Sequence, residues 1–254
     1  MFQGQSIAVV MPAYNEAQGI SKVVQSFRAI PEIDEIIVAD NHSTDRTAEL
    51  AAEAGARVVP KKQRGYGFAC RRALAASTSG ITIIIESDDT FRATDIYKFL
   101  AYANEFDVVF GTRTSKSCIW SGANMGWFLR YGNWAVAKAL EYVHNGPCLT
   151  DVGCTFKMFK RDALQELLPQ LTVGGSSFSP EIMIMSIRLG FTCVEIPVHY
   201  GSRLGDSKIT GSFRKAFFLG LRMIWLIIRY RFRTIPRVRP ISDPSGVRQP
   251  GDTL

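Results

Sequence analysis

The stretch Ile81-Thr82-Ile83-Ile84-Ile85-Glu86-Ser87-Asp88-Asp89-Thr90 joins an apolar, β-branched run to a cluster of acids. A short run that is apolar on both faces predicts a strand buried inside a parallel sheet. Similar runs lie at residues 7–11, 36–39 and 108–110. They alternate with stretches whose apolar residues recur every three or four positions, at residues 17–27, 45–54, 67–77 and 94–103. This alternation predicts a doubly wound α/β domain.

The second half of the chain has a less regular pattern. A helical pattern runs from about residue 123 to 143 and stops at Asn145-Gly146-Pro147. A strand or turn is predicted near residues 153–159, a helix over 180–189 and a strand over 192–197.

The composition excludes several classes of protein. With 46% hydrophobic and 21% charged residues in a chain of 254, the protein is neither disordered nor fibrous. The five cysteines form no CxxC pair, so neither a disulfide scaffold nor a structural zinc site is expected. The three histidines share no metal-binding spacing, and no Gly-x-Ser-x-Gly motif supports a hydrolase. The N-terminus lacks the features of a signal peptide.

Polar side chains follow three of the predicted strands. Ligands bind beyond the carboxyl ends of the strands in such sheets, and residues 12–16, 40–45 and 86–90 lie at those ends. Glu86 and Asp88 are two residues apart, so in a continuing strand they would share a face. A cation would relieve their repulsion, and oxygen ligands suit Mg²⁺ or Mn²⁺. Helix capping or a turn is the open alternative for these acids.

Gly65-Tyr66-Gly67 follows a basic run at residues 61–64 and precedes the third predicted helix. Glycines let a backbone approach a ligand closely, and a helix N-terminus attracts anions. An ordinary loop is the open alternative. Because no Gly-Lys-Ser/Thr follows, the segment is not a Walker loop.

The net charge of +7 comes from one segment. Residues 207–240 contain nine Lys or Arg and no acid, and the rest of the chain has 21 basic and 23 acidic residues. Within this basic segment, the spacing of apolar residues over 212–233 predicts a helix about 33 Å long. Lys215, Arg222 and Arg229 form a stripe on this helix, and apolar side chains cover another face. The pattern is typical of an interfacial helix on an anionic membrane.

Two other interpretations of this segment are weaker. A helix that packs on the core of its own domain is the main alternative. Nucleic-acid binding is disfavoured because no recognisable module for it is present. Arg222 interrupts the apolar runs, which also disfavours a membrane-spanning helix.

Several short motifs, in this order, resemble those of family 2 glycosyltransferases. The first set comprises Pro12-Ala13-Tyr14-Asn15-Glu16, Ala39-Asp40-Asn41-His42-Ser43-Thr44-Asp45-Arg46-Thr47, Gly65-Tyr66-Gly67 and Glu86-Ser87-Asp88. The second set is similar to the dolichol-phosphate mannose synthase branch and comprises Gly111-Thr112-Arg113, Asp151-Val152-Gly153-Cys154-Thr155-Phe156-Lys157, Glu195-Ile196-Pro197-Val198 and Arg203-Leu204-Gly205-Asp206-Ser207-Lys208. Glu86 stands where the family has aspartate.

The resemblance implies a GT-A fold with a mostly parallel sheet, to which the residue pattern adds a C-terminal amphipathic helix on the membrane surface. It implies an inverting enzyme that moves a hexose from a UDP- or GDP-linked sugar to a polyprenyl or dolichyl phosphate. The cofactor would be Mg²⁺ or Mn²⁺, and the enzyme would be peripheral on the cytoplasmic face of the cell membrane. The catalytic domain would span residues 1–211 and the helix 212–235, followed by a disordered tail at 236–254. The sugar and the oligomeric state stay open.

The resemblance also assigns roles to individual residues. The nucleotide site would comprise Pro12, Tyr14, Glu16, Asp40, Gly65 and Gly67. The metal ligands would be Glu86, Asp88 and Thr90. The phosphates of donor and acceptor would be held by Arg113, Arg130, Arg203 and Lys208.

Two alternative functions stay open. The first is a soluble transferase with a hydroxyl acceptor, in which Asp151 or Glu181 acts as general base. With a phosphate acceptor, which needs no base, both acids are expected to be structural. The second is a non-catalytic membrane adaptor that binds nucleotide sugars.

Overall fold

The computed structural model describes residues 1–60, 64–120, 123, 126–202 and 213–235, with the side chains of 213–217 left out. Seven strands in this part of the chain form one sheet. The strands are β1 (Ile7–Ala13), β2 (Glu35–Asp40), β3 (Arg57–Pro60), β4 (Ile81–Ile84), β5 (Val108–Thr112), β6 (Lys157–Lys160) and β7 (Cys193–Pro197). The α-helices are α1 (Ile20–Arg28), α2 (Thr47–Glu53), α3 (Tyr66–Ala76), α4 (Ile96–Tyr102), α5 (Trp127–His144), α6 (Arg161–Leu167), α7 (Phe178–Arg188) and α8 (Phe213–Arg231).

The sheet order is β3-β2-β1-β4-β6-β5-β7. Only β6 runs antiparallel to its neighbours, β4 and β5, among the strands described. The four predicted strands of the first half are present, which confirms the mostly parallel α/β sheet. The sequence does not predict β3, because this edge strand of four residues has only two valines between Arg57 and Pro60.

The helices cover both faces of the sheet. Alternate residues of β1 face opposite sides: Ala8 and Val10 join one core, whereas Ile7, Val9 and Met11 join the other. Helices α1, α2 and α4 pack on the second core, and α3, α5, α6, α7 and α8 pack on the first. Burial on both faces explains why the central strands are apolar throughout.

Helix α8 has two apolar faces. Met223, Leu226, Ile227 and Tyr230 are buried in the same core as the sheet. A second set, which we call the exposed stripe, is more than half exposed: Phe218 67%, Leu221 51%, Trp225 57%, Ile228 51% and, one residue beyond the end of the helix, Phe232 83%. The buried set shows that the helix packs on the core of its own domain, and the membrane interpretation stays a prediction. In the described part of the chain, no helix has both the length and the apolarity needed to cross a bilayer.

Hydrogen bonds also attach α8 to the domain. His144 Nε2 lies 3.0 Å from the carbonyl oxygen of Ile227. Arg188 donates to the carbonyls of Tyr230 and Arg233, which lie at and beyond the end of the helix. Cations near the carboxyl end of a helix satisfy carbonyls that have no partner within the helix. Residues 203–212 and 236–254, including the predicted tail, lie outside the described residues.

Candidate functional site

The loops that follow β1, β2 and β4 meet at the carboxyl edge of the sheet, which we call the donor edge. Each loop has one non-glycine residue in the left-handed conformation: Asn15 at φ 55°, His42 at 59° and Asp89 at 63°. Such residues are uncommon and cluster at functional sites. Ser87 donates a 2.9 Å hydrogen bond to the carbonyl of Pro12 and so connects two of the loops.

The predicted nucleotide wall forms from the loops after β1 and β2. The Asn15 amide donates to Ser43 Oγ at 3.0 Å, and the Glu16 amide donates to Thr47 Oγ1 at 2.8 Å. Asp40, at the end of β2, accepts from the Ser43 amide at 3.3 Å. Pro12 is buried beside them, and Tyr14 and Glu16 are half-buried. The structure brings these four predicted residues to one wall, and their binding role stays a prediction.

Gly65 and Gly67 contact protein backbone. A Cβ atom on Gly65 would lie 2.5 Å from the carbonyl oxygen of Gly174, and one on Gly67 would lie 2.5 Å from that of Val173. The Gly67 amide donates to Gly174 at 2.9 Å. The close approach that these glycines allow in this structure is to residues 173–174, and their nucleotide-binding role stays a prediction.

Glu86 accepts hydrogen bonds from two hydroxyl groups. Tyr66 Oη lies 2.7 Å and Thr155 Oγ1 lies 2.5 Å from the same oxygen, Oε1. Burial raises the pKa of Tyr66 well above its ordinary value, and the neighbouring charge of Glu86 adds to this. The phenol therefore stays protonated at neutral pH and can donate. Sequence reasoning overlooked Tyr66, because the Gly-x-Gly pattern draws attention only to the glycines.

Asp88 is 7% exposed, and its Oδ1 accepts from the amide of Thr90 at 3.2 Å and from its hydroxyl at 2.6 Å. Thr90 thus orients Asp88 in this structure, and a direct contact of Thr90 with a metal stays a prediction. The third acid, Asp89, forms an ion pair with Lys22 of α1 at 2.6 Å. The acidic cluster therefore divides into one residue paired with a surface lysine and two at the donor edge.

Tyr200 lies near both remaining acids. Burial raises its pKa, Arg113 opposes this, and the charges of Asp88 and Glu86 raise it further. Both carboxylates therefore lie near enough to this phenol to affect its ionisation. Tyr200 carries no signal in the sequence, because it lies beyond β7 and reaches the donor edge only in the fold.

The donor set fits a hard divalent cation. Mg²⁺ in proteins is commonly bound by one or two carboxylates, substrate phosphates and water. Glu86 and Asp88 supply the two carboxylates. No group of three His, Cys, Asp or Glu side chains arranged for a metal occurs in the part of the chain that the structure describes.

Arg113 and Asp151 form a buried ion pair. The guanidinium lies over the ring of Tyr200, with 5.1 Å from Cζ to the ring centroid. Asp151 is fully buried; it also accepts from the backbone amides of Arg113 at 3.0 Å and Gly153 at 2.9 Å. Burial opposes ionisation of Asp151, but Arg113 and these amides hold its pKa below the ordinary value. A phosphate-binding role for Arg113 stays a prediction, and its guanidinium already has a carboxylate partner.

Glu181 is also fully buried. Its Oε1 accepts from the Thr172 amide at 2.7 Å and from the Tyr230 hydroxyl of α8 at 2.5 Å, and its Oε2 accepts from the Val173 amide at 2.9 Å. Like Asp151, it accepts hydrogen bonds on both oxygens and has no exposed surface. Neither acid is accessible to the hydroxyl of an acceptor in this structure.

Arg130 lines a cavity of about 290 Å³, which we call the basic cavity. The lining residues are Thr114, Lys116, Arg130, Tyr131 and Trp134. The Arg130 guanidinium stacks over the Tyr131 ring at 5.3 Å. Two cations and two aromatic rings in one cavity can bind an anion that has an apolar body. The other predicted phosphate ligands, Arg203 and Lys208, lie outside the described residues.

Comparison with known proteins identifies similar chains. The profile described as Glycosyl transferase family 2 matches residues 8–168. The dolichyl-phosphate hexose transferase of Haloferax volcanii is 29% identical over 89% of this chain and 96% of its own length. The uncharacterized glycosyltransferase Rv0539 of Mycobacterium tuberculosis is 31% identical over 89% of this chain and 99% of its own length.

Solved structures show the same fold. The glucosyl-3-phosphoglycerate synthase of Mycobacterium tuberculosis, in complex with Mn²⁺, UDP and phosphoglyceric acid, superposes with a TM-score of 0.69. Its identity to this chain is 21%, over 92% of this chain and 81% of the synthase. This likeness confirms the predicted GT-A fold.

Proposed function

Since this chain belongs to glycosyl transferase family 2 and is a glycosyltransferase, we propose that it transfers a hexose from a nucleoside-diphosphate sugar to a polyprenyl phosphate. The transfer would use Mg²⁺ or Mn²⁺ at the cytoplasmic surface of the membrane. We choose a phosphate acceptor because Asp151 and Glu181, the two candidate general bases, are fully buried. A hydroxyl acceptor needs a general base within hydrogen-bond reach, whereas a phosphate oxygen is already ionised.

The donor half of the proposed reaction belongs to the donor edge. Pro12, Tyr14, Glu16 and Asp40 would contact the nucleoside. Glu86 and Asp88 would hold the divalent cation, which supplies neutralisation of the charge on the leaving diphosphate. Solved relatives of the same fold bind Mn²⁺ or Mg²⁺ together with UDP, which supports this part of the proposal.

The acceptor half belongs to the basic cavity. A phosphate nucleophile needs cations that orient it and reduce its repulsion from the diphosphate. Arg130 and Lys116 supply two positive charges, and the rings of Tyr131 and Trp134 supply apolar surface for the first carbons of a prenyl chain. The similarity to a protein named as a dolichyl-phosphate hexose transferase supports a lipid phosphate acceptor. Arg113, Arg203 and Lys208 remain candidates for further phosphate contacts.

The membrane contact belongs to α8. Its exposed stripe presents five large apolar side chains to solvent, and Arg222 and Arg229 beside them are exposed. Exposed apolar surface next to arginine fits the boundary between anionic headgroups and acyl chains. Helix α5 adds a second exposed set of aromatic residues: Trp127 74%, Tyr131 57%, Trp134 48% and Tyr142 90%. Tyr131 and Trp134 of this set also line the basic cavity. If this surface contacts the membrane, a lipid phosphate would reach the cavity directly from the membrane.

A transfer assay tests the proposed function. The full chain is incubated with UDP-glucose or GDP-mannose, with Mn²⁺ or EDTA, in anionic vesicles with or without a polyprenyl phosphate. We expect a glycosylated lipid that requires both the lipid phosphate and the metal. Transfer to a soluble hydroxyl acceptor alone would contradict the proposal and favour a general base. Donor binding without consumption would favour the adaptor.

A further inference from the structure

We propose that Tyr66 and Thr155 are positioning residues whose hydroxyl groups fix the carboxylate of Glu86 at the donor edge. This inference rests on the proposed function and deepens it, because it identifies what orients the first acid of the Glu-x-Asp motif. Neither residue is among the predicted nucleotide or metal ligands. Their hydroxyl groups come from elements far apart in sequence.

The three side chains converge on one point. Tyr66 Oη and Thr155 Oγ1 lie 2.7 Å and 2.5 Å from Glu86 Oε1, and they lie 2.6 Å from each other. Tyr66 begins α3, Glu86 follows β4, and Thr155 precedes β6. The two hydroxyl hydrogens are shared among these three contacts, and either hydroxyl can donate to the other. Both residues are thereby linked to the carboxylate, which restricts its rotation more than a single hydrogen bond would.

The position of Tyr66 is itself fixed. Gly65 has φ 139°, a conformation that favours glycine, and its amide donates to Asn41 Oδ1 at 3.2 Å. On the other side of Tyr66, Gly67 packs against residues 173–174, where no Cβ atom fits. These contacts explain the Gly-Tyr-Gly motif: the two glycines fix the first turn of α3, and that turn places the phenol next to Glu86.

The length of glutamate explains why such positioning is needed. Glutamate has one more rotatable bond than the aspartate that the family has at this position, and ordering it costs more conformational entropy. A carboxylate already restrained by protein hydroxyls loses less entropy when a ligand binds. Thr155 is only 6% exposed, so its hydrogen bond is little weakened by competing water. Partners that orient metal ligands in this way typically change metal affinity or activity 10- to 100-fold when they are removed.

Nucleotide binding in the presence and absence of metal tests the inference. Binding of UDP and GDP to the full chain is measured by calorimetry, once with Mn²⁺ and once with EDTA. The variants are Tyr66→Phe and Thr155→Val, which remove one hydroxyl each, and Thr155→Ser, which keeps it. Two controls lose a hydroxyl bonded to a carboxylate elsewhere: Tyr97→Phe, next to Glu32, and Thr192→Val, next to Asp107.

We expect Tyr66→Phe and Thr155→Val each to weaken the Mn²⁺-dependent affinity by about 10-fold or more. Affinity in EDTA should be unchanged, and Thr155→Ser and both controls should match the wild type. A purely structural role would instead lower the melting temperature and weaken binding equally with and without Mn²⁺, which would overturn the inference. Wild-type affinity in both variants would also overturn it while leaving the proposed function intact. If the wild type bound neither nucleotide in a Mn²⁺-dependent way, the proposed function itself would fail, and this role with it.

Discussion

Arg113 and Asp151 form a two-pronged ion pair: Nε lies 2.8 Å from Oδ2, and a terminal guanidinium nitrogen lies 3.0 Å from Oδ1. Asp151 is fully buried, and Arg113 is 14% exposed. Removing one partner of such a pair leaves a charge without compensation in a medium of low dielectric constant. The pair connects the end of β5 to the loop before β6.

Asp151→Asn should therefore lower the free energy of unfolding by about 3–5 kcal/mol. Chemical denaturation measures this loss. Glu49→Gln, which breaks an exposed ion pair with Arg46, is the control and should change stability by less than about 1 kcal/mol. A variant at Asp151 with wild-type stability and a transfer rate reduced about 100-fold would instead support a general base.

Glu86→Gln and Asp88→Asn should each abolish the metal-dependent part of nucleoside-diphosphate binding, because a neutral amide is a poor ligand for a hard cation. Thermal shift with UDP or GDP, with and without Mn²⁺, measures the loss. Asp89→Asn is the matched control: this acid pairs with Lys22, and asparagine tolerates its φ of 63°. Unchanged binding in the first two variants would remove the proposed metal site.

Arg130→Ala should raise the KM for polyprenyl phosphate by about 10- to 100-fold, the expected loss of a hydrogen bond to a charged group. Donor affinity should not change, because the basic cavity belongs to the acceptor half of the proposal. Initial rates at varied lipid phosphate measure the effect. Arg57→Ala, on the edge strand β3 and paired with Glu35, serves as the control. A change in donor affinity alone would assign Arg130 to the other substrate.

Trp225→Glu combined with Ile228→Glu should release the protein from anionic vesicles in a flotation assay. Both side chains belong to the exposed stripe, so stability should be retained. Deleting the helix would be a less specific test, because it also removes Met223, Leu226, Ile227 and Tyr230 from the core. Tyr102→Glu, on α4 across the sheet, is the control. Binding that survives the double substitution would contradict the membrane role of α8.

Because of the buried position of His144, we expect the free energy of unfolding to fall in acid. The pKa of His144 is lowered from 6.5 to about 4, mainly by burial; the hydrogen bond to Ile227 opposes this shift, and the charges of Arg188 and Arg231 add to it. The neutral ring donates from Nε2 to Ile227, and Nδ1 is buried with no hydrogen-bond partner. A protonated ring would therefore place an unpaired donor inside the protein.

The sign of the effect follows from this depressed pKa. The contribution of His144 is fully present above pH 6.5, and it is lost as the pH falls from 6.5 towards 4, to a total of about 3 kcal/mol. Denaturation at pH 7.5 and pH 4.5, compared between the wild type and His144→Gln, isolates the effect. Equal loss in the two proteins would refute the assignment.

The sequence predicted much of the donor edge because the relevant signals are local. The apolar run at residues 81–85 specifies a buried strand, and Glu86 and Asp88 follow at its carboxyl end. Residues 12–16 and 40–45 follow their strands in the same way. The antiparallel direction of β6 could not be predicted from the sequence, because the apolar pattern of a buried strand is the same in either direction.

The packing of α8 shows the limit of a periodic pattern. Trp225 and Leu226 are adjacent apolar residues, yet Leu226 is buried and Trp225 is exposed. Both faces of the helix are apolar, so periodicity alone does not state which face contacts α5 and α7. The hydrogen bond between His144 and Ile227, 83 residues apart, depends on that choice.

By itself, the sequence determined the α/β class, the edge of the sheet that holds the acids, and the presence of a helix in the last basic segment. These properties follow from residue type and spacing within one element. Only the tertiary structure decided that Asp151 pairs with Arg113, that Glu181 holds Tyr230, and that Tyr66 and Thr155 meet at Glu86. Those contacts join residues 20 to 69 positions apart, and hydrogen-bond geometry between such residues exists only once the chain has folded.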